Sequence, residues 1–267
     1  MTRVISAVVA LPFFILLVRY GKPVHFSFLI SAGAAAGCWE YLRLIGFAPR
    51  KPAFWAGCLG GAALAFSGEL SPPTALILAL WAALLIFFSS AVWLPPGLWP
   101  APRRFAGGFV GVLFVGTTFG SLILLRNLPD GWRWVFLLAL VVWGGDTGAY
   151  YGGRAWGKHP LIPRLSPNKT IEGACVGAVA SLIGGLIAWA WFLSGASSLN
   201  LIDVMASSLL LGVVGQVGDL AESAVKRSAG AKDAGGLIPG HGGILDRMDG
   251  MTFAGPVLYT ILLWKLH

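Results

Sequence analysis

Runs of about 20 mostly apolar residues, each long enough to cross a lipid bilayer as a helix, recur along the whole of this chain. They cover residues 4–20, 26–46, 53–69, 73–95, 105–127, 132–151, 173–195, 202–225 and 251–266, with short polar stretches between them. The pattern predicts an all-α fold, a polytopic membrane helical bundle of about nine transmembrane helices. The third and ninth runs are short, so eight spans is the alternative count. No internal repeat or low-complexity linker interrupts the series. Residues 1–267 are therefore expected to form a single integral membrane domain, with N-terminal spans in 1–130 and the chemistry in 131–267. The first run is preceded by Arg3 and followed by Arg19, Tyr20 and Lys22 without a small-residue cleavage site. It reads as a retained span, not a signal peptide.

Composition sharpens this picture. The chain of 267 residues is 57% hydrophobic and only 11% charged, against about 25% charged in soluble domains. Twelve Trp and thirty-seven Gly are further marks of membrane helices. Small-xxx-small spacings at Gly33/Gly37, Gly107/Gly111 and Gly173/Gly177 predict close helix packing. Cys38, Cys58 and Cys175 all fall in apolar stretches, where they suit packing and not a disulfide framework.

The net charge of +8 is unevenly placed. With nine spans, the N-terminus and the loops near 47–52, 96–104, 152–172 and 226–250 share one side. Only Arg19, Lys22, Arg126, Arg133 and Lys265 of the nineteen Lys and Arg fall on the other. The positive-inside rule puts the basic side in the cytoplasm. Nucleic acid binding is the alternative use of this charge, but the flanking sequence offers no soluble domain to perform it.

Eleven Asp and Glu are present, and their positions are more telling. Glu69, Asp130 and Asp203 lie near the far-side loops and read as solvated. Glu40, Asp146, Asp219 and Glu222 lie within or at the ends of apolar runs, where an unpaired carboxylate is costly. Asp219, Glu222, Ser223, Lys226 and Arg227 fall at i, i+3, i+4, i+7 and i+8, on one helical face. An intrahelical Glu222–Lys226 salt bridge is the plain reading of that face, but it leaves Asp219 unexplained beside Gly215 and Gly218. Asp146 is likewise set among glycines. After it come Lys158-His159 and Ser166-Pro-Asn-Lys169-Thr-Ile-Glu172. There Pro167 and Asn168 predict a turn, Thr170 a helix start and Glu172 a first-turn acid. His159 and His241 lack a paired ligand at metal spacing and suit hydrogen bonding or phosphate contact. Residues 223–249 are the most polar part of the chain. Cations and carboxylates on a Gly-rich backbone suit a phosphate-plus-metal site.

That segment resembles the signature of the phosphatidate cytidylyltransferase (CDP-diacylglycerol synthase) family. The matching residues are Ser223, Lys226-Arg227, Lys232-Asp233, Pro239, His241-Gly242-Gly243 and Asp246-Arg247-Met248-Asp249. Asp146-Thr-Gly-Ala-Tyr150 and Ser166 to Gly173 resemble the family's second conserved region, and Trp39-Glu40 a feature of its early spans. The likeness is carried by the C-terminal half; the first 130 residues share only hydropathy.

The resemblance implies transfer of the cytidylyl group of CTP to phosphatidate, giving CDP-diacylglycerol and pyrophosphate with magnesium (Mg2+) as cofactor. It places the enzyme in the cell's inner membrane with its site on the cytoplasmic face. It assigns Asp219, Asp246, Asp249 and Asp146 to the metal. Catalytic roles go to Asp219, Lys226, Arg227, Asp246 and Arg247, and substrate binding to Lys169, Asn168, Ser223, Lys232 and His241. A homodimer is left open. The chemistry agrees: a phosphate oxygen is already ionised, so the task is to bring two polyanions together and stabilise departing pyrophosphate. A transporter for a phosphorylated metabolite stays an alternative, although the two matching halves of such folds are absent. So does a CTP-dependent lipid kinase. The CDP-alcohol phosphotransferases are disfavoured because their Asp-Gly-x-x-Ala-Arg core is missing.

Overall fold

Proline and glycine set the limits of the first helices. Helix α1 runs from Thr2 to Tyr20 and α2 from Pro23 to Leu44. Pro23 opens α2 at a position whose missing N–H has no helical acceptor to lose. Past its end, Gly46 adopts φ 84°. The Gly46 amide donates to Arg43 O at 3.0 Å and the Phe47 amide to Leu42 O at 2.8 Å, a Schellman closure. Pro52 likewise opens α3 (Pro52–Phe66), which tightens into a single turn at Ser67–Glu69. Helix α4 spans Pro102–Asn127, α5 Gly131–Trp156, α6 Ile171–Ala188, α7 Leu201–Ser228 and α8 Leu245–Leu266.

This computed structural model describes residues 2–70, 102–195, 199–237 and 242–266. The run at 73–95 and His241 lie outside them. Helices form at each of the other expected spans. Three segments, Phe105–Asn127, Ile171–Leu193 and Leu201–Ser228, are long and apolar enough to cross a membrane. Among the described residues, then, the bundle is all-α with three helices that meet this measure. Of the remaining helices, α3 has only 15 residues, and α5 and α8 each carry a polar, charged end.

The chain divides into two compact units. One joins residues up to Asn127 with Ala229–Arg247, the other Leu128–Ser228 with Met248–His267. In the first, α2, α3 and α4 pack pairwise around Phe26, Leu42, Phe54, Leu64, Phe119 and Ile123, all fully buried. The expected packing role of Gly111 is seen here, whereas a Cβ at Gly107 would meet nothing within 4 Å. Gly111 makes room for the Tyr41 ring, and the Tyr41 hydroxyl donates to Gly107 O at 3.0 Å.

In the second unit, α5 and α6 lie side by side along much of their length, and α7 packs against both. Small residues permit this approach: a Cβ added at Gly173 would sit 2.8 Å from Ala149 O. The Ser181 hydroxyl donates to Val141 O at 2.9 Å and ties the two helices together. Helix α6 continues through a wide turn, Trp189–Leu193.

One element departs from the sequence reading. Residues expected to form a loop with a turn at Pro167–Asn168 instead build an antiparallel hairpin, β1 (Pro160–Ile162) and β2 (Ser166–Thr170). The turn falls earlier, where the Leu165 amide donates to Ile162 O at 3.1 Å. A two-stranded ribbon leaves one edge of each strand unpaired, so Pro167 sits in β2 without breaking a ladder.

Candidate active site

The hairpin ends by launching α6. Thr170 Oγ1 accepts from the Gly173 amide at 3.1 Å, the capping role expected of it. Glu172 in the first turn accepts from the Lys158 amide at 3.0 Å and the His159 amide at 3.2 Å, and pairs with the His159 ring. Both ends of the 158–172 segment are thereby pinned to the start of α6. The His159 ring makes its hydrogen bond to Glu172 through Nδ1.

What the hairpin presents is Lys169. Its ammonium pairs with the Asp219 carboxylate on α7. Asp219 is thus compensated by a side chain 50 positions away in the chain, a partner that helical spacing does not reveal. The intrahelical bridge allowed by the sequence also forms, with Lys226 Nζ 3.1 Å from Glu222 Oε1 and both side chains mostly enclosed. Arg227 is exposed and its Nε donates to Leu165 O at 3.3 Å.

Two more carboxylates face this group. Asp249 lies within electrostatic reach of Asp219, Glu222 and Asp146, and Asp146 within reach of Asp219 and Lys169. Helix α8 comes this close to α7 because Gly218 has no side chain: a Cβ there would stand 2.7 Å from Asp249 O. Four carboxylates therefore meet two ammonium groups, Lys169 and Lys226, and an excess of negative charge remains. Hard oxygen donors with an excess of about two charges match a divalent cation such as magnesium. Among the described residues no three His, Cys, Asp or Glu side chains converge into a closed ligand set; Lys169 stands against Asp219 instead.

Asp146, Lys169 and Asp219 open onto a cavity of about 460 Å³. Asn168 and Thr170 from the hairpin line it, as do Tyr150 and Arg154 from α5 and Gln216 from α7. The sequence reading placed Tyr150 in a family-like motif but gave no role to it, to Arg154 or to Gln216. For the first two a signal existed, since Asp146, Tyr150 and Arg154 repeat at intervals of four and share a helical face. Gln216 gave none: its Nε2 donates to Ala174 O at 3.0 Å, a contact without a sequence mark. Arg154 is exposed and makes no ion pair among the described residues.

The middle of the signature segment, Ala229–Arg247, belongs to the other unit. Asp246 accepts from the Gly243 amide at 2.9 Å and the Ala234 amide at 3.0 Å. Gly242, at φ 82°, makes the turn that allows this. Lys232 and Arg247 are exposed, and Ser223 is half-buried on α7.

Known proteins resemble this chain along its length. The sequence model described as the cytidylyltransferase family matches residues 1–264. A phosphatidate cytidylyltransferase of Pseudomonas aeruginosa is 34% identical over 274 aligned positions, covering 98% of this chain and 96% of that protein. Those of Brucella suis and Bacillus subtilis are 48% and 41% identical over 162 and 158 residues. The match spans little more than half of their length, 56% and 58%.

Proposed function

Because this chain belongs to the cytidylyltransferase family, we propose that it transfers the cytidylyl group of CTP to phosphatidate, releasing pyrophosphate and forming CDP-diacylglycerol. The observation that carries this reading is the cluster of Asp146, Lys169 and Asp219 at a cavity within apolar helices. A phosphate oxygen of phosphatidate attacks the α-phosphorus of CTP, and the bond to the β-phosphate oxygen breaks. No general base is required. Lys169, with Arg154 at the cavity edge, draws the polyanions in and offsets their mutual repulsion. Tyr150, Asn168 and Gln216 supply neutral polar groups on the cavity wall.

Asp146, Asp219 and Asp249 would hold magnesium. Bound there, the ion supplies Lewis-acid stabilisation of the charge that builds up on the pyrophosphate. Asp246 is the further candidate from the signature, and its carboxylate also holds two loop amides. Arg227 and Ser223 complete the proposed phosphate contacts here, with Lys226 shared between Glu222 and substrate; Lys232 and Arg247, in the other unit, are candidates from the family resemblance.

The basic loops support a site on the cytoplasmic face of a bacterial inner membrane, where CTP and a leaflet lipid meet. A cysteine placed at Ser166, after replacement of Cys38, Cys58 and Cys175, should react with an impermeant thiol reagent only from that face. Exposed apolar helix faces suit lipid or a second copy of the chain, and cross-linking in membranes tests the homodimer.

The decisive assay uses CTP labelled at one phosphorus, with phosphatidate in detergent micelles. Label at the α-position should enter the lipid. Transfer of γ-label instead would identify a CTP-dependent kinase and overturn the proposal.

A further inference from the structure

Among the described acidic residues only Glu40 is completely enclosed, at 0% exposure. It sits on α2, yet its carboxylate is spent on the start of α8. Oε1 accepts from the Ile244 amide at 3.1 Å and Oε2 from the Leu245 amide at 3.0 Å. These N–H groups open a helix and have no helical carbonyl to receive them, and the helix dipole favours a negative charge there. The preceding loop closes over the same carboxylate. A Cβ added at Gly235 would stand 2.7 Å from Oε1, and one at Gly243 2.5 Å from Oε2. Asp246 grips the loop from the other side through Ala234 and Gly243. Two carboxylates, one from α2 and one from α8, thus share a single stretch of backbone.

We propose that Glu40 is a positioning residue: it fixes the loop–α8 junction and so sets the orientation in which Asp246 and Arg247 meet the substrates. The proposal rests on the cytidylyl-transfer reading for the identity of those substrates. Glu40 itself is walled in by protein and touches none of them. Its two oxygens serve two amides, one each. Gln at this position offers one acceptor and turns an NH2 toward the second N–H. Asp is shorter by a methylene and withdraws both oxygens.

The test uses the full chain in detergent, with hydrogen exchange at the Ile244 and Leu245 amides and with kcat and KM for CTP. In Glu40→Gln, exchange at one of these amides should rise at least about tenfold, as a charge-assisted hydrogen bond is lost. kcat should fall about a hundredfold from a small displacement of the site, while KM for CTP stays within about threefold of wild type. Faster exchange with unchanged kcat would make Glu40 a structural residue only, and unchanged exchange would remove the clamp altogether. Should Glu40→Gln fail to fold, Gly235→Ala presses on Oε1 from the loop side. It should lower kcat in the same way, and full activity in that variant would overturn the proposal. If wild type lacks α-label transfer, the functional reading fails, while the exchange data still report on the clamp.

Discussion

Two groups of buried or half-buried carboxylates are neutralised in different ways. Asp219 and Glu222 are met by side-chain cations, Lys169 and Lys226. Glu40 and Asp246 are met by backbone amides of one loop. An ammonium on a flexible stem can leave its carboxylate when a phosphate or metal ion arrives. A backbone amide in a Gly-rich turn cannot move without the turn. The first arrangement therefore suits exchange of ligands, and the second suits fixed geometry.

The sharpest way to break this comparison is Asp219→Asn. It retains size and hydrogen-bonding capacity but removes the charge that pairs with Lys169 and that the proposed magnesium ion would require. Turnover is expected to fall by at least about a hundredfold with the fold retained, and stripping divalent ions from wild type should have an equal or greater effect, reversed by adding magnesium. Near-normal turnover in Asp219→Asn would take this residue out of the metal shell and leave its ion pair purely structural.

The Glu222–Lys226 pair tests the opposite end of the comparison. Their side chains are only 13% and 11% exposed. Lys226→Met would leave a carboxylate enclosed without its cation, at a cost of ~3 kcal/mol, read as a lowered melting temperature in detergent. Adding Glu222→Gln should restore most of that loss. A stable Lys226→Met with weakened CTP binding would show instead that Lys226 faces substrate.

Much of this could be read from sequence, and the limits are instructive. Apolar runs located each described helix because helices are made by local spacing. The Lys226 partner of Glu222 was visible for the same reason, being four positions away. Lys169 and Asp219 are 50 positions apart and come together only through the hairpin, whose strands, at three and five residues, are too short to show alternation. Glu40 was legible as an acid needing compensation. Its partners were not, because backbone amides look alike at every position.

Lys169→Met should have a smaller effect than Asp219→Asn. It frees Asp219 but removes a cation at the cavity proposed to receive CTP. KM for CTP should rise about tenfold, the value of one charge-assisted contact, with melting temperature little changed because both partners are partly exposed. Lys169→Arg should recover part of the loss. A fall in melting temperature with KM unaltered would make Lys169 a neutraliser of Asp219 and nothing more.

The smallest effect is expected at Arg227. It lies one residue beyond Lys226, yet it is exposed, and its Nε reaches Leu165 O at 3.3 Å. If it served only to neutralise the α7 acids, replacement by another cation would be silent. If it holds phosphate, the planar fork of guanidinium matters, because it offers several donors in a fixed geometry while ammonium acts as a point charge. Arg227→Lys is therefore expected to leave melting temperature unchanged. KM for CTP or for phosphatidate should rise about twofold to fivefold, the range of an exposed charged contact, and the rise should shrink at high salt. Measuring both Michaelis constants shows which anion it meets. If the melting temperature dropped while both constants held, Arg227 would join the side chains that only hold α7 and the hairpin in place.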